Sequence, residues 1–462
     1  MPSSSSLSIS LKTALRLPPD TQLALVGAGG KTQAMFQLAN ELQEQSPAVL
    51  ITTTTHLGRD QVQYAAHHLI LDVKDQLPGL SNLPDGIICI SGLLDELTER
   101  WQGLSPGQLE QLSRFARYRH IPLLVEADGS RQLPIKAPAE HEPVIPPFVD
   151  SVIVVAGLNG LHQTLDPLWV HRPQIFAQLS GLKLGEPVTP EGLAKVLGHP
   201  QGGLKGIPLS SHRICLLTHA ETSEAQADSA LISQLLEPHF QSIVIAANPN
   251  SLDRANQLMP YQVIAVHQPV AAIVLAAGAS QRFGKPKQLL RWRGETLVHQ
   301  AARVSLEAEL NPVVVVCGAE SQAIQEAVAD LPVEIFYNPN WRAGQSTSIQ
   351  AGLQVLPPNM GAAIFILVDQ PFISQSVLRF LVEQHSHTLA SIIGPMVDGQ
   401  RSNPVLFDQR TFADLFKLQG DIGGRALFGR YPPQWVLWHD NRLLIDIDTP
   451  EAYQNLLEHY DE

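Results

Sequence analysis

Two stretches of the 462-residue chain place small residues after an apolar run and basic residues after the small ones. In LALVGAGGKTQ, Gly27, Gly29 and Gly30 precede Lys31 and Thr32. Glycines let backbone amides approach an anion that a side chain would hold off, and a helix N-terminus favours negative charge. Lys31 then suits a phosphate oxygen and the Thr32 hydroxyl suits Mg2+, although G-x-x-G-K-T is shorter than the Walker consensus. In AAIVLAAGASQRFGKPKQLL, small residues at Ala276, Ala277, Gly278 and Ala279 let backbone amides approach a bound group, and Arg282 and Lys287 add positive charge for a triphosphate. That spacing fits neither a Walker loop nor a GxGxxG fingerprint.

Carboxylates complete the chemistry. AAIFILVDQPFIS runs apolar residues into Asp369, and an acid at the carboxyl end of a buried strand sits where open α/β sheets bind ligands. Its hard oxygens suit Mg2+ bridging phosphates; alone, such an Asp reads equally as a helix cap or turn former. LLIDIDTPEAY adds Asp446 and Asp448 ahead of Thr-Pro-Glu, a good helix start. In the first half, LLVEADGSRQLPIKAPAEHEPVIP ends a strand with Glu126 and Asp128, and Asp128 has the position of a Mg2+-water ligand, with Arg131 and Lys136 beyond. Thr52 to Thr55 form a hydroxyl row that reads equally as β-branched strand filling.

These residues need buried strands to position them. Short β-branched runs alternate with helical stretches from LALVGAGG to SIVIAAN and again from AAIVLAAG to LLIDID, the pattern of parallel sheets covered by helices. YQVIAVHQP, residues 261–269, reads as a turn between the series and puts the boundary near 262–270. The expected architecture is α/β in two domains, a P-loop-like parallel-sheet domain over 1–266 and a Rossmann-like domain over 267–462.

The hydrophobic fraction of 44% and charged fraction of 16%, with no apolar run long enough to span a bilayer, predict a soluble globular chain. The N-terminus has no basic start followed by an apolar segment, and Cys89, Cys215 and Cys317 lie far apart, so reduced thiols in a cytoplasmic protein are expected. A formal net charge of −13 argues against nucleic acid as a partner.

The ordered motifs LAAGxSxRFGxxKxLL, NPxWxxGxSxSIxAGL, DQP, GDxGGR and DIDTPEAY over 270–462 resemble the molybdenum cofactor cytidylyltransferase family. The resemblance implies transfer of CMP from CTP to the phosphate of molybdopterin carrying molybdenum, with release of pyrophosphate. It implies Leu275, Ala276, Ala277 and Gly278 as the nucleotide loop, Asp369 and Asp448 as Mg2+ ligands, Arg282 and Lys287 on the triphosphate, and Ser346 and Ser348 near the nucleotide. Asp421 and Arg425 suit the pterin phosphate. Members using GTP tend to read LAGG, so Ala277 favours the cytosine nucleotide. Ser402 and Asn403 depart from the Gly-His-Pro of relatives.

The motifs of residues 15–260, including VHRP at 170–173, resemble the YqeC-type family, which is linked to selenium-dependent molybdenum hydroxylases. That resemblance implies a nucleotide-dependent accessory step, with ATP or GTP at the Gly27–Thr32 loop and hydroxylase apoenzymes as partners. LLTHAET departs from the relatives' Asn-Lys or Asn-Gln. The rival readings are a CTP-dependent sugar- or polyol-phosphate cytidylyltransferase and a non-catalytic pterin chaperone.

Overall fold

A computed structural model describes residues 9–72, 83–248, 259–279 and 283–460. The chain divides into two compact units, Met1–His267 and Gln268–Glu462.

In the first unit the strands are β1 (Gln22–Gly27), β2 (Ala48–Thr53), β3 (His67–Ile70), β4 (Gly86–Ser91), β5 (Leu123–Glu126), β6 (Ser151–Gly157), β7 (His212–Thr218), β8 (Ser242–Ala247) and β9 (Gln262–His267). They form one sheet in the order β9-β8-β7-β6-β1-β5-β2-β4-β3, parallel throughout except for β8 with β9. Most are buried along their whole length, as expected where helices cover both faces. Residue Leu25 pairs with Glu126 and Gly27 with Val155, so the glycine loop leaves β1 beside the acidic end of β5. Helix α1 (Lys31–Gln43) follows directly, starting from Gly30.

The second unit contains β10 (Val270–Ala276), β11 (Val313–Cys317), β12 (Glu334–Tyr337), β13 (Ala362–Leu367), β14 (Ile392–Val397), β15 (Gln400–Arg401), β16 (Val405–Asp408) and β17 (Gln434–Leu437). Their order is β12-β11-β10-β13-β16-β14-β15, with β17 beside β14. Alternate residues of β10 enter different cores: Ala272 and Val274 pack in one, Ala271 and Ile273 in the other. Leu275 pairs with Leu367, which again brings a small-residue loop out beside a strand ending in an acid, here Asp369. Helices α2 (Gln345–Gln354) and α3 (Pro450–Tyr460) carry the other candidate motifs.

Three sequence expectations change. The second sheet is mixed, because β16 runs antiparallel to β13 and β14. Residues 262–267, expected as a turn, form the antiparallel edge strand β9; its partial exposure gives a weak hydrophobic signal. LLIDID is no strand: Asn441–Leu444 is a 3-10 turn and the acids follow in an extended loop, whose alternation mimics a strand.

The glycine loop is constrained by space as well as by conformation. Gly27 has φ +97°, and a Cβ there would lie 2.2 Å from the Val155 carbonyl oxygen. Gly27→Ala should destabilise the first unit by about 1–3 kcal/mol, measured as a lower melting temperature; an unchanged melting temperature would show that the loop has slack.

Candidate functional site

In the second unit a cleft of about 1210 Å3 is lined by Leu275, Ala277, Gly278, Ala279, Lys287 and Asp448, with Trp341 and Asp421 among the residues facing them. The Lys287 ammonium donates to Asp448 Oδ1 at 2.7 Å and to Asp369 Oδ2 at 3.2 Å. Burial pulls the lysine down, but hydrogen bonds and the charges of both acids raise it above its ordinary pKa. The two acid-bearing segments are stitched together independently of the lysine. Ile447 N–H donates to the Asp369 carbonyl at 2.8 Å, and Gln370 Nε2 donates to Asp446 Oδ1 at 2.7 Å. Burial, then the charges of Asp369 and Asp448, push the Asp446 carboxyl up against the pull of that amide.

The loop is pinned by a residue that its sequence does not announce. Gln288, almost fully buried, donates to the carbonyls of Ala276 at 3.0 Å and Gly278 at 2.5 Å. Ala276 lies in the core, Ala277 lines the cleft with a nearly buried methyl, and open space surrounds Gly278. Arg282 lies outside the described residues.

Other expected site residues support the frame. The buried Ser346 hydroxyl donates to the Gly420 carbonyl at 2.7 Å, and Ser348 accepts from Asn338 at 3.1 Å while also lining the cleft. Asp421 lines the cleft and accepts from the Gln345 amide at the start of α2, a favourable place for a negative charge. Arg425 is exposed on the following turn and is not among the residues lining the cleft.

In the first unit the glycine loop meets a row of charges alternating in sign, buried at Glu126, Lys31, Asp128 and Lys136 and half-buried at Glu142 and Arg172. Lys31 Nζ lies 3.0 Å from Asp128 Oδ1 and 3.8 Å from Glu126 Oε1, and it donates to the Gly27 carbonyl at 2.7 Å. Lys136 Nζ lies 2.7 Å from Asp128 Oδ2 and 3.0 Å from Glu142 Oε2. Arg172 donates to both Glu142 oxygens, each at 2.9 Å. The Gly27 amide also donates to Asp128, at 3.0 and 3.2 Å.

Asp128 is only 2% exposed and both its oxygens are engaged by ammonium groups, so it anchors the surrounding network. Lys31 is turned into the same network, 3% exposed, and is not extended over the loop. Ala28 and Gly29 amides are also bonded internally, to Val155 and Leu133. The amides of Gly30, Lys31 and Thr32 meet no acceptor among the described residues, and Thr32 accepts from Gln61 at 2.8 Å.

Among the described residues, no group of three or more His, Cys, Asp or Glu is arranged to hold a metal ion. All three cysteines are buried and unbridged, with burial pushing the Cys89 thiol up to about 12. No helix among them is long and apolar enough to cross a membrane.

The YqeC protein family matches residues 23–174, and the MobA-like NTP transferase domain matches residues 272–435. The YqeC protein of Escherichia coli K12 is 33% identical over 226 residues, 48% of this chain and 86% of that protein. The nicotine blue oxidoreductase of Paenarthrobacter nicotinovorans is 32% identical over 199 residues, 41% of this chain and 96% of its own. A probable molybdenum cofactor guanylyltransferase of Bacillus cereus is 32% identical over 137 residues, covering 29% of this chain and 66% of that protein.

The chain belongs to both families, YqeC and the MobA-like NTP transferases. Its second half is a nucleotidyltransferase domain, with the LAAG loop and Asp369 inside the matched region and Asp448 beyond it. The YqeC match contains the glycine loop and the whole charge row to Arg172.

Sequence reading missed Lys136, Glu142 and Arg172 as one unit, because loops separated in the chain bring them together. At Glu142, burial opposes ionisation, but the Arg172 guanidinium and Lys136 ammonium outweigh it and lower the carboxyl from 4.5 to about 2. A depressed folded-state pKa stabilises above the unfolded value and ceases to do so as pH falls through the folded one. The melting-temperature difference between wild type and Glu142→Gln should therefore be constant above pH 4.5 and shrink between pH 4.5 and about 2. A pH-independent difference would show that Glu142 acts through packing alone.

Proposed function

We propose that the NTP transferase half transfers CMP from CTP to the terminal phosphate of molybdenum-bearing molybdopterin, giving the cytosine dinucleotide and pyrophosphate. The YqeC half binds ATP or GTP and acts as an accessory in maturing molybdenum hydroxylases, in the cytoplasm. Lys287, held between Asp369 and Asp448 and lining a cleft with residues of the LAAG loop, is the observation that carries the catalytic reading.

The donor set fits a phosphate-bound Mg2+. Two hard carboxylates are held together by the Ile447 and Gln370 hydrogen bonds, and such an ion needs only one or two carboxylates, with phosphates and waters filling the remaining positions. Asp369 and Asp448 would hold the ion, which supplies charge neutralisation on the triphosphate. The chain's own part is positioning. The loop amides beside Gly278 receive the nucleotide, Gln288 keeps that loop shaped, and Lys287 exchanges its carboxylates for phosphate oxygens. An oxygen of the acceptor phosphate then forms a bond to the α-phosphorus as the bond from that phosphorus to the bridging oxygen breaks, and pyrophosphate leaves with the electron pair.

The guanylyltransferase relative supports a pterin acceptor, while the oxidoreductase relative bears the name of another activity. A lysine clamped by two acids beside a loop of small residues favours nucleotidyl transfer over oxidoreduction.

The direct test incubates the chain with Mg2+, each NTP and molybdopterin, following pyrophosphate and product mass. Pyrophosphate with CTP and the cytosine dinucleotide mass are expected. Turnover only with a sugar or polyol phosphate would replace the acceptor, and tight pterin binding without pyrophosphate would leave a chaperone. Asp369→Ala should lower pyrophosphate release by about 10²–10³-fold with an unchanged melting profile; near-normal release would remove Asp369 from the site. Ala277→Gly should move the CTP-to-GTP preference toward GTP by roughly tenfold, and an unchanged ratio would place base selection elsewhere.

A further inference from the structure

In the YqeC half two acids stand at the end of β5, and only one is satisfied by its surroundings. Asp128 receives Lys31, Lys136 and the Gly27 amide, leaving neither oxygen open. Glu126 is 8% exposed, and its Oε2 is buried without a hydrogen-bond partner among the described residues. Lys31, at 3.8 Å from Glu126 Oε1, is too far for a hydrogen bond and contributes only its charge. A buried carboxylate oxygen with nothing to accept from is costly, and folded chains keep such a group where a ligand completes it.

The surroundings indicate which ligand. At the start of α1 the Thr32 hydroxyl accepts from Gln61 Nε2 at 2.8 Å, and its side chain is close enough to Glu126 to favour that group's charged form. Gln61 is itself held by the Gly58 amide, at 2.7 Å from its Oε1, and covers Thr32 as a cap. On the adjacent strand end, Thr54 Oγ1 is a second buried oxygen without a partner. The Thr54 amide donates to the Glu126 carbonyl at 3.0 Å, which keeps the two strand ends together. A carboxylate and hydroxyls beside the unpaired amides of a helix N-terminus are hard oxygens next to an anion site, the donor set for a divalent cation carried in with phosphates.

We propose that Glu126 and Thr32, and not Asp128, form the divalent-cation site of the YqeC half, taking Mg2+ together with the phosphates of a nucleoside triphosphate. Gln61 is displaced from Thr32 when the ion enters, and Asp128 holds Lys31 and Lys136 in place throughout. The proposal rests on the reading of Gly27–Thr32 as a nucleotide loop.

The test uses the full-length chain carrying Asp369→Ala, which removes the other half's candidate cation site. Binding of N-methylanthraniloyl-labelled ATP and GTP is measured by fluorescence with Mg2+ and with EDTA, alongside thermal melts and Lys31→Ala to locate the signal. Glu126→Gln should keep the EDTA-state affinity and a melting temperature at least as high as the parent, while losing the Mg2+ enhancement by tenfold or more, on the order of what disturbing a metal site costs. Asp128→Asn should lower the melting temperature and retain the enhancement. Loss of the enhancement in Asp128→Asn with its retention in Glu126→Gln would overturn the assignment. If Asp128→Asn does not fold, Glu126→Gln alone decides, and retained enhancement overturns it. Failure of the parent to bind either nucleotide under both conditions would overturn the nucleotide-loop reading itself.

Discussion

A lysine ammonium held between two acids at the carboxyl ends of paired parallel strands recurs in both halves, and the two sites take their character from how deeply it is buried. Charges removed from water are tolerated only when paired and hydrogen-bonded, so each lysine fixes the positions of its acids and of the loop around it. In the YqeC half Lys31 and Asp128 are almost wholly enclosed and continue through Lys136 and Glu142 to Arg172. Removing Asp128 would leave Lys31 and Lys136 buried with fewer partners, which makes the row a lock on the glycine loop. In the transferase half the Lys287 side chain is 16% exposed and Asp448 71% exposed, so water and ligands compete for the pair. In the proposed mechanism that lysine is a placeholder that phosphate draws away.

Strand register brings each lysine to its acids. Pairing of Leu25 with Glu126, and of Leu275 with Leu367, sets a small-residue loop beside the end of the neighbouring acidic strand in both sheets. Apolar strands buried on both faces make a one-residue slip expensive, so the cores hold the register on which the sites depend. The loops then need only short-range fixing, from Gln288 in one half and from the Gly27 contact with Val155 in the other.

The parts of this arrangement carried by local pattern were legible in the sequence. Apolar runs ending in Glu126 or Asp369, and glycines ahead of Lys31, announce buried strands and strand-end sites, because burial and turn conformation are set within a few residues. What depends on distant partners was not. Asp128 and Glu126 look interchangeable until Lys136, arriving from the next loop, occupies one and leaves the other. Gln370 and Gln288 are polar residues within apolar surroundings whose meaning is the carbonyl or carboxylate they reach. The loop bearing Asp446 and Asp448 alternates like a strand, yet only Ile447 makes a ladder-like bond, to Asp369. Ser346 reads as a ligand group by type, but its hydroxyl holds the Gly420 turn.

The exchange at Lys287 is the central claim, and a crystal structure of the chain with Mn2+ and a non-hydrolysable CTP analogue, located by manganese anomalous scattering, tests it most directly. The account predicts Mn2+ bound by Asp369 and Asp448 with oxygen ligands at about 2.1 Å, and Lys287 turned onto the triphosphate. Lys287 still bridging the two acids, with the nucleotide bound and no Mn2+ at either, would contradict it.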